Sequence, residues 1–166
     1  MLLYLDELTY YRRPSVAQGL RPARQGWGSN TRRRVAAVLD ARTGQVIARQ
    51  TARRGRHELI ALYRQIQTTY SQAERIFIVQ ENWPVHCHAD IQLALQNTCL
   101  ELLFLPTYAP WTNPIEKLWR WLYQEVLHLH SWADDWLGLQ TVVSNGLSQF
   151  APGSLDLLRY VGLYPV

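Results

Sequence analysis

The sequence predicts a single α/β domain with a mixed five-stranded sheet and helices on both faces. Short apolar runs alternate with segments of helical periodicity along the first two thirds of the chain, and the last third is helical. No linker, repeat or low-complexity tract interrupts the 166 residues, and 48% hydrophobic positions supply a sizeable core. We therefore expect one domain spanning residues 1–166.

The first half of the chain predicts three strands. Residues 2–8 form an apolar run typical of a central strand, and a polar loop over 10–31 follows it. This loop is too long for a plain connector. Residues 33–40 and 45–51 flank the Gly-containing turn at 41–44 and predict a β-hairpin.

Helices and strands alternate in the middle of the chain. Residues 57–70 and 89–97 predict helices, and residues 75–79 and 100–106 predict strands. Three helices complete the chain. The first begins at Asn113 with Pro114 in its first turn and runs to Val126, the second runs from about Asp134 to Phe150, and the last covers 153–163. This element order is that of the ribonuclease H-like fold, as in retroviral integrases.

The positive charge of the chain is concentrated near its start. Residues 1–56 hold twelve arginines against three acidic residues, which would attract a polyanion such as DNA. A solvated basic face is the alternative. Lys117 is the only lysine, and arginine suits bidentate phosphate contacts, which favours nucleic acid. The expected DNA contacts are Arg12, Arg13, Arg32, Arg33, Arg34, Arg53, Arg54 and Arg56.

Targeting signals and cysteine chemistry are not expected. The N-terminus has no basic leader, and Asp6 interrupts its apolar run, so we expect neither a signal peptide nor a membrane span and place the chain in the cytoplasm. Cys87 and Cys99 have no paired spacing and are interpreted as packing residues. His86 and His88 flank Cys87, but the spacing matches no common zinc pattern.

Three acidic residues occupy positions at which the fold alone does not require a charged side chain. Asp6 lies among Leu and Tyr, where an unpaired buried carboxylate is costly, so we expect it at an open strand end. Adjacent strand residues face opposite ways, so only Asp6 or Glu7 faces a shared site. Glu81 directly follows a strand, where ligands of α/β sheets collect. Glu116 lies in the first turn of a helix.

Each acid also has a structural explanation. Asp6 and Glu81 could be solvated charges at strand ends, and Glu116 could complete a capping box with Asn113. Together, however, three oxygen ligands suit Mg²⁺, and a pair of such ions about 3.5–4 Å apart supports phosphodiester cleavage. The sequence therefore favours a nuclease or a strand-transfer enzyme.

The segments "LYLDE", "VQENWPVH" and "FLPTYAPWTNPIEKLWRWL" resemble the three acid motifs of DDE-type transposases from bacterial insertion sequences in the mariner-like superfamily. The resemblance implies an acidic triad of Asp6, Glu81 and Glu116 that holds two Mg²⁺ or Mn²⁺ ions, cleaves DNA at the element's ends and transfers the strand to target DNA. The 34 residues between Glu81 and Glu116 are the interval expected for this group.

The resemblance also implies further residues and partners. Asn82 and His86 would line the site, and Asn113 would fix the entry to the third-acid helix. The partners would be double-stranded DNA and a second copy of the chain, and the setting would be the bacterial cytoplasm. The loop over 10–31 would hold DNA or a second subunit, and Trp83 and Trp111 could stack on DNA.

The sequence departs from the family pattern at two places. The second acid is Glu81 where the family has Asp, and its extra methylene must shift either the carboxylate or the metal. The family's N-terminal helix-turn-helix is expected to be absent, lost or encoded separately. A DNA-binding remnant without activity therefore stays an alternative, as does a ribonuclease H-like nuclease acting on hybrids or branched DNA.

Overall fold

A computed structural model describes residues 1–14, 30–53, 55–107 and 109–164. Five strands form one sheet: β1 Leu2–Tyr11, β2 Arg32–Asp40, β3 Val46–Thr51, β4 Ile76–Gln80 and β5 Leu100–Phe104. Five α-helices accompany it: α1 Arg56–Thr69, α2 Ala89–Leu95, α3 Ile115–Leu122, α4 Trp136–Ser148 and α5 Leu155–Val161.

The sheet is mixed, with the strand order β3-β2-β1-β4-β5. Strands β1, β2 and β3 form an antiparallel meander, whereas β4 and β5 run parallel to β1. Helical connections between β3, β4 and β5 allow this reversal, because parallel neighbours need a long crossover. The predicted fold class and the order of its elements are confirmed.

Alternating side chains of the strands pack into two separate hydrophobic cores, one on each face of the sheet. In β1, Leu3 and Leu5 belong to one core and Tyr10 to the other, as the two-residue period of a strand requires. Helices α1 and α2 cover the first face, where Leu62 and Ile91 are fully buried. Helices α3, α4 and α5 cover the opposite face, which we call the α3 face. The core there includes Leu118, Leu139, Val143 and Leu157.

The boundaries of several elements differ from the sequence expectation. Strand β1 continues to Tyr11 because its last residues pair with β2 beyond the end of β4. The helix expected to run to Val126 ends at Leu122 and passes into a π-helical turn over Tyr123–Leu127.

Cys87 is exposed and not a packing residue, whereas Cys99 packs against a core.

Short 3₁₀ turns over Pro84–Cys87, Pro110–Thr112 and Trp132–Asp134 complete the described elements. In the part of the chain that the structure describes, no helix combines the length and apolar character needed to cross a bilayer.

Candidate active site

Asp6 lies in the middle of the sheet, on its central strand. On one side, β1 pairs with β4 only through its residues Leu2 to Tyr4, and β4 ends at Gln80. On the other side, β1 continues to pair with β2, and Asp6 lies opposite Ala37. The expectation that Asp6 sits at an open strand end is therefore wrong, because it is the neighbouring strand that stops. The side chain of Asp6 lies on the α3 face, the side of the sheet on which Tyr10 of the same strand packs.

A buried tryptophan holds the carboxylate of Asp6. Trp119 of α3 is only 4% exposed, and its indole Nε1 donates a hydrogen bond of 2.8 Å to Oδ2 of Asp6. In the sequence, Trp119 belongs to the apolar stripe of a helix, and this pattern indicates only a packing role for it. Its contact with Asp6 spans 113 residues of sequence and depends on the tertiary structure.

Glu116 stands in the first turn of α3, half-buried and on the helix that carries Trp119. Asn113 begins this turn but does not cap it: its Nδ2 donates to the carbonyl oxygen of Leu5 at 3.1 Å. No side chain caps the N-terminus of α3, so the expected capping box is wrong. Asn113 is 2% exposed and instead ties the start of α3 to β1, one residue before Asp6.

Glu81 directly follows β4 and lies in a loop. It borders a cleft of about 320 Å³ between two loops, whose walls are Glu81, Asn82, Trp83, Leu105, Pro106, Thr107 and Ala109. Asn82 thus borders the cleft next to Glu81. His86 is 2% exposed, contacts the ring of Trp83 in an edge-to-face arrangement, and does not form a wall of the cleft.

The three carboxylates interact electrostatically. Burial, opposed by a backbone hydrogen bond from Glu7 and reinforced by the charge of Glu116, raises the pKa of Asp6 to about 7. The charge of Glu81 raises it further, whereas the hydrogen bond from Trp119 lowers it. Burial and the charge of Glu81 also raise the pKa of Glu116, and a hydrogen bond with Asp6 partly offsets this. The structure therefore brings the three predicted acids into one electrostatic site.

The chemistry of this site fits a hard divalent cation. All three donors are carboxylates, and the charge of the neighbouring carboxylates adds to burial in raising the pKa of Asp6 and of Glu116. Over the described ranges, however, no three His, Cys, Asp or Glu side chains already stand in a metal-binding arrangement. Binding a cation would therefore require the carboxylates to draw together.

The arginines at the start of β2 divide between the two faces of the sheet. Arg33 pairs with Tyr10 and shares the α3 face with Asp6, whereas Arg32 and Arg34 point to the opposite face. The alternation of a strand could have revealed this division, because three consecutive strand residues cannot share one face.

Other arginines of the basic region already have partners within the chain. Arg12 donates from Nε to the carbonyl oxygen of Ala133 at 2.6 Å, and Arg56 forms an ion pair with Asp90, 2.5 Å from Nε to Oδ2. The remaining positions are Arg13, half-buried; Arg53, exposed; and Arg54, which lies outside the described residues. Arg21, Arg24 and Trp27 of the long loop also lie outside them.

Fold and site together define a ribonuclease H-like domain with an acidic centre beside its central strand. The family model of the DDE superfamily endonuclease matches residues 2–136. The chain therefore belongs to the DDE superfamily endonucleases.

One relative by sequence is an uncharacterized 39 kDa protein of insertion element IS630 from Shigella sonnei. It is 24% identical over 147 residues, which cover 85% of this chain and 43% of that protein. This chain thus spans less than half the length of that relative.

Solved structures share the fold. The Mos1 transposase paired-end complex with left transposon end has a TM-score of 0.68 at 14% identity and covers 97% of this chain and 51% of that chain. The HTLV-2 integrase catalytic core domain in complex with magnesium, in its trimeric form, has a TM-score of 0.52 at 11% identity and covers 90% of this chain and 83% of that one. These similarities identify the sheet and its helices as ribonuclease H-like.

Proposed function

We propose that this chain is the catalytic domain of an insertion-sequence transposase, which cleaves DNA at the element's ends and transfers the strand to a target. The observation that carries the proposal is the convergence of Asp6, Glu81 and Glu116 into one electrostatic site, in a chain of the DDE endonuclease family. The IS630 relative and the DNA-bound Mos1 structure support the same conclusion.

The acids differ in how firmly the protein holds them. Asp6 is fixed by the sheet and by Trp119, and Glu116 by the first turn of α3, so these two would provide a preorganised pair of oxygen ligands. Glu81 would approach from the loop after β4 as the third ligand. Bound Mg²⁺ or Mn²⁺, two ions by the family resemblance, would activate water and stabilise the leaving oxygen. Because burial raises the pKa of Asp6 to about 7, a proton would compete with the cation for this carboxylate near neutral pH.

DNA would reach the site at the open cleft beside Glu81, because helices α3, α4 and α5 cover the α3 face. Of the three arginines at the start of β2, Arg33 is the one on the same side of the sheet as Asp6, and it lies four positions along β2 from Ala37, the partner of Asp6. Trp111 is 80% exposed, and Trp83 borders the cleft beside Glu81; both would offer surfaces for stacking. A dimer on paired DNA ends and a separately encoded helix-turn-helix subunit are further parts of this proposal.

A second candidate function is DNA binding without cleavage. The substitution of Glu for the family's Asp at position 81 favours it, as does the lack of a preformed three-residue metal arrangement in the described parts of the chain. Glu reaches further than Asp by one methylene, and a misplacement of about 1 Å can cost roughly 10²-fold in rate.

The test is nicking of supercoiled plasmid by the purified chain in Mg²⁺ or Mn²⁺. Wild type, Glu81→Asp, Asp6→Ala and Glu116→Ala are compared, with Asp156→Asn as a control because Asp156 is exposed on α5 and pairs only locally with Arg159. We expect nicking by wild type and by the control, faster nicking by Glu81→Asp, and none by either alanine variant.

Each other outcome changes the conclusion. Nicking by Glu81→Asp but not by wild type would make this copy the DNA-binding remnant, inactivated at position 81. Equal nicking by wild type and by both alanine variants would exclude the acidic site as the catalytic centre. Preference for RNA–DNA hybrids or branched DNA in a substrate panel would indicate a different ribonuclease H-like nuclease.

A further inference from the structure

We propose that Trp119 is a positioning residue: its indole N–H fixes the orientation of the Asp6 carboxylate so that Asp6 and Glu116 share a divalent cation. The observation is the hydrogen bond of 2.8 Å from Nε1 of Trp119 to Oδ2 of Asp6, made by a side chain that is 4% exposed. This inference rests on the proposed function, because it assigns a role within the same acidic site.

The position of Trp119 on α3 supports the assignment. Residues three apart on a helix lie on neighbouring positions of one face, so Trp119 and Glu116 both project towards Asp6. Asn113, three residues before Glu116, donates to the carbonyl oxygen of Leu5. Hydrogen bonds from Asn113, just before α3, and from Trp119, within it, reach consecutive residues of β1 and therefore fix the position of Glu116 along the strand.

Core packing alone does not explain an indole at this position. Trp119 packs in the hydrophobic core of the α3 face, which a purely apolar side chain could also fill. A buried indole N–H must find an acceptor, and here the acceptor is the carboxylate of Asp6. A hydrogen bond to one oxygen restricts rotation of the carboxylate plane, which is how outer partners orient metal ligands.

The experiment measures Mn²⁺ affinity of the full chain by titration calorimetry and by the electron paramagnetic resonance signal of free Mn²⁺. Trp119→Phe removes the N–H, and Trp121→Phe is the matched control, because Trp121 lies on the same helix and packs edge-on against Phe150. We expect about tenfold weaker Mn²⁺ binding for Trp119→Phe, the size typical of lost outer partners, and a change within about twofold for Trp121→Phe.

A third variant separates the hydrogen bond from the shape of the ring. Replacing Trp119 with its benzothiophene analogue, in which sulfur takes the place of the N–H, keeps the packing and removes the donor. Equally weak Mn²⁺ binding by this variant and by Trp119→Phe supports the proposal. Wild-type affinity in the benzothiophene variant would overturn it, whatever happens to Trp119→Phe.

Asp6→Ala distinguishes a failure of the role of Trp119 from a failure of the metal site itself. If Asp6→Ala abolishes Mn²⁺ binding while both Trp119 variants bind normally, the acidic site stands and the role of Trp119 is refuted. If Asp6→Ala binds Mn²⁺ as wild type does, the metal site itself is wrong, and the role of Trp119 is refuted with it.

Discussion

Neutralising Asp6 should stabilise the metal-free protein at alkaline pH. The pKa of Asp6 is 3.8 in a model peptide and about 7 in the folded chain, first because the group is buried and then because Glu116 and Glu81 lie nearby. Folding therefore favours the protonated carboxyl. The stability that this proton provides is complete below pH 4 and is lost as the pH rises through 7.

The pKa difference sets the size of the effect. Between pH 4 and pH 8 it corresponds to a loss of about 4 kcal/mol in the free energy of unfolding. Asn resembles the protonated carboxyl, and its oxygen can still accept the N–H of Trp119. Since the neighbouring carboxylates relax when one charge is removed, we expect Asp6→Asn to stabilise the chain by about 2–4 kcal/mol at pH 8.

Urea denaturation in EDTA at pH 5 and pH 8 provides the measurement. Because the loss begins above pH 4, the gain at pH 5 should be somewhat less than half of the gain at pH 8. Asp156→Asn, which removes an exposed charge, should change stability by less than about 0.5 kcal/mol at both pH values. Adding Mg²⁺ at pH 8 should stabilise wild type and leave Asp6→Asn unchanged. An equal gain at both pH values, or a loss at pH 8, would refute the electrostatic reasoning.

Three further predictions concern stability and are measured by urea denaturation. Asn113→Ala should cost about 1–3 kcal/mol because a buried carbonyl of β1 loses its donor, whereas exposed Asn145→Ala should cost less than about 0.5; equal effects would contradict the tie between α3 and β1. Tyr63→Phe should cost about 1–3 kcal/mol because buried Gln80 loses the hydroxyl that donates to its Oε1 at 2.8 Å; a neutral result would mean that Gln80 finds another partner. Gly44→Ala should destabilise the fold by more than about 1 kcal/mol, since φ is +69° and a Cβ would lie 2.2 Å from the carbonyl oxygen of Ser154; unchanged stability would show that this turn relaxes freely.

The strands were predictable because their information is local. Apolar runs and a Gly-containing turn identified all five, and the alternation of β1 showed that only one of Asp6 and Glu7 could face the site. Asp6 faces the α3 side of the sheet, whereas Glu7 is the next residue along the strand and so points to the other side. The end of β1 was missed because its length is set by pairing with β2 rather than by its own composition.

The sequence identifies candidate acids for the site but not the side chains that support them. The order Asn-Pro-x-Glu is the same whether Asn caps a helix or bonds to a distant strand, so the hydrogen bond of Asn113 to β1 could not be read from sequence. Trp119 likewise fits an apolar stripe equally well with or without an acceptor for its N–H. Both contacts depend on the docking of α3 against β1, which no local pattern encodes.

The three acids should differ in how much change evolution can accept at each of them. Asp6 and Glu116 are built on a strand and a helix that hydrogen bonds join to each other, so one added or removed methylene displaces the carboxylate directly. Glu81 lies in a loop rather than on a strand or a helix, and the open space of its cleft can accommodate a longer side chain. Sequence drift among related chains should therefore appear at position 81 before it appears at the other two.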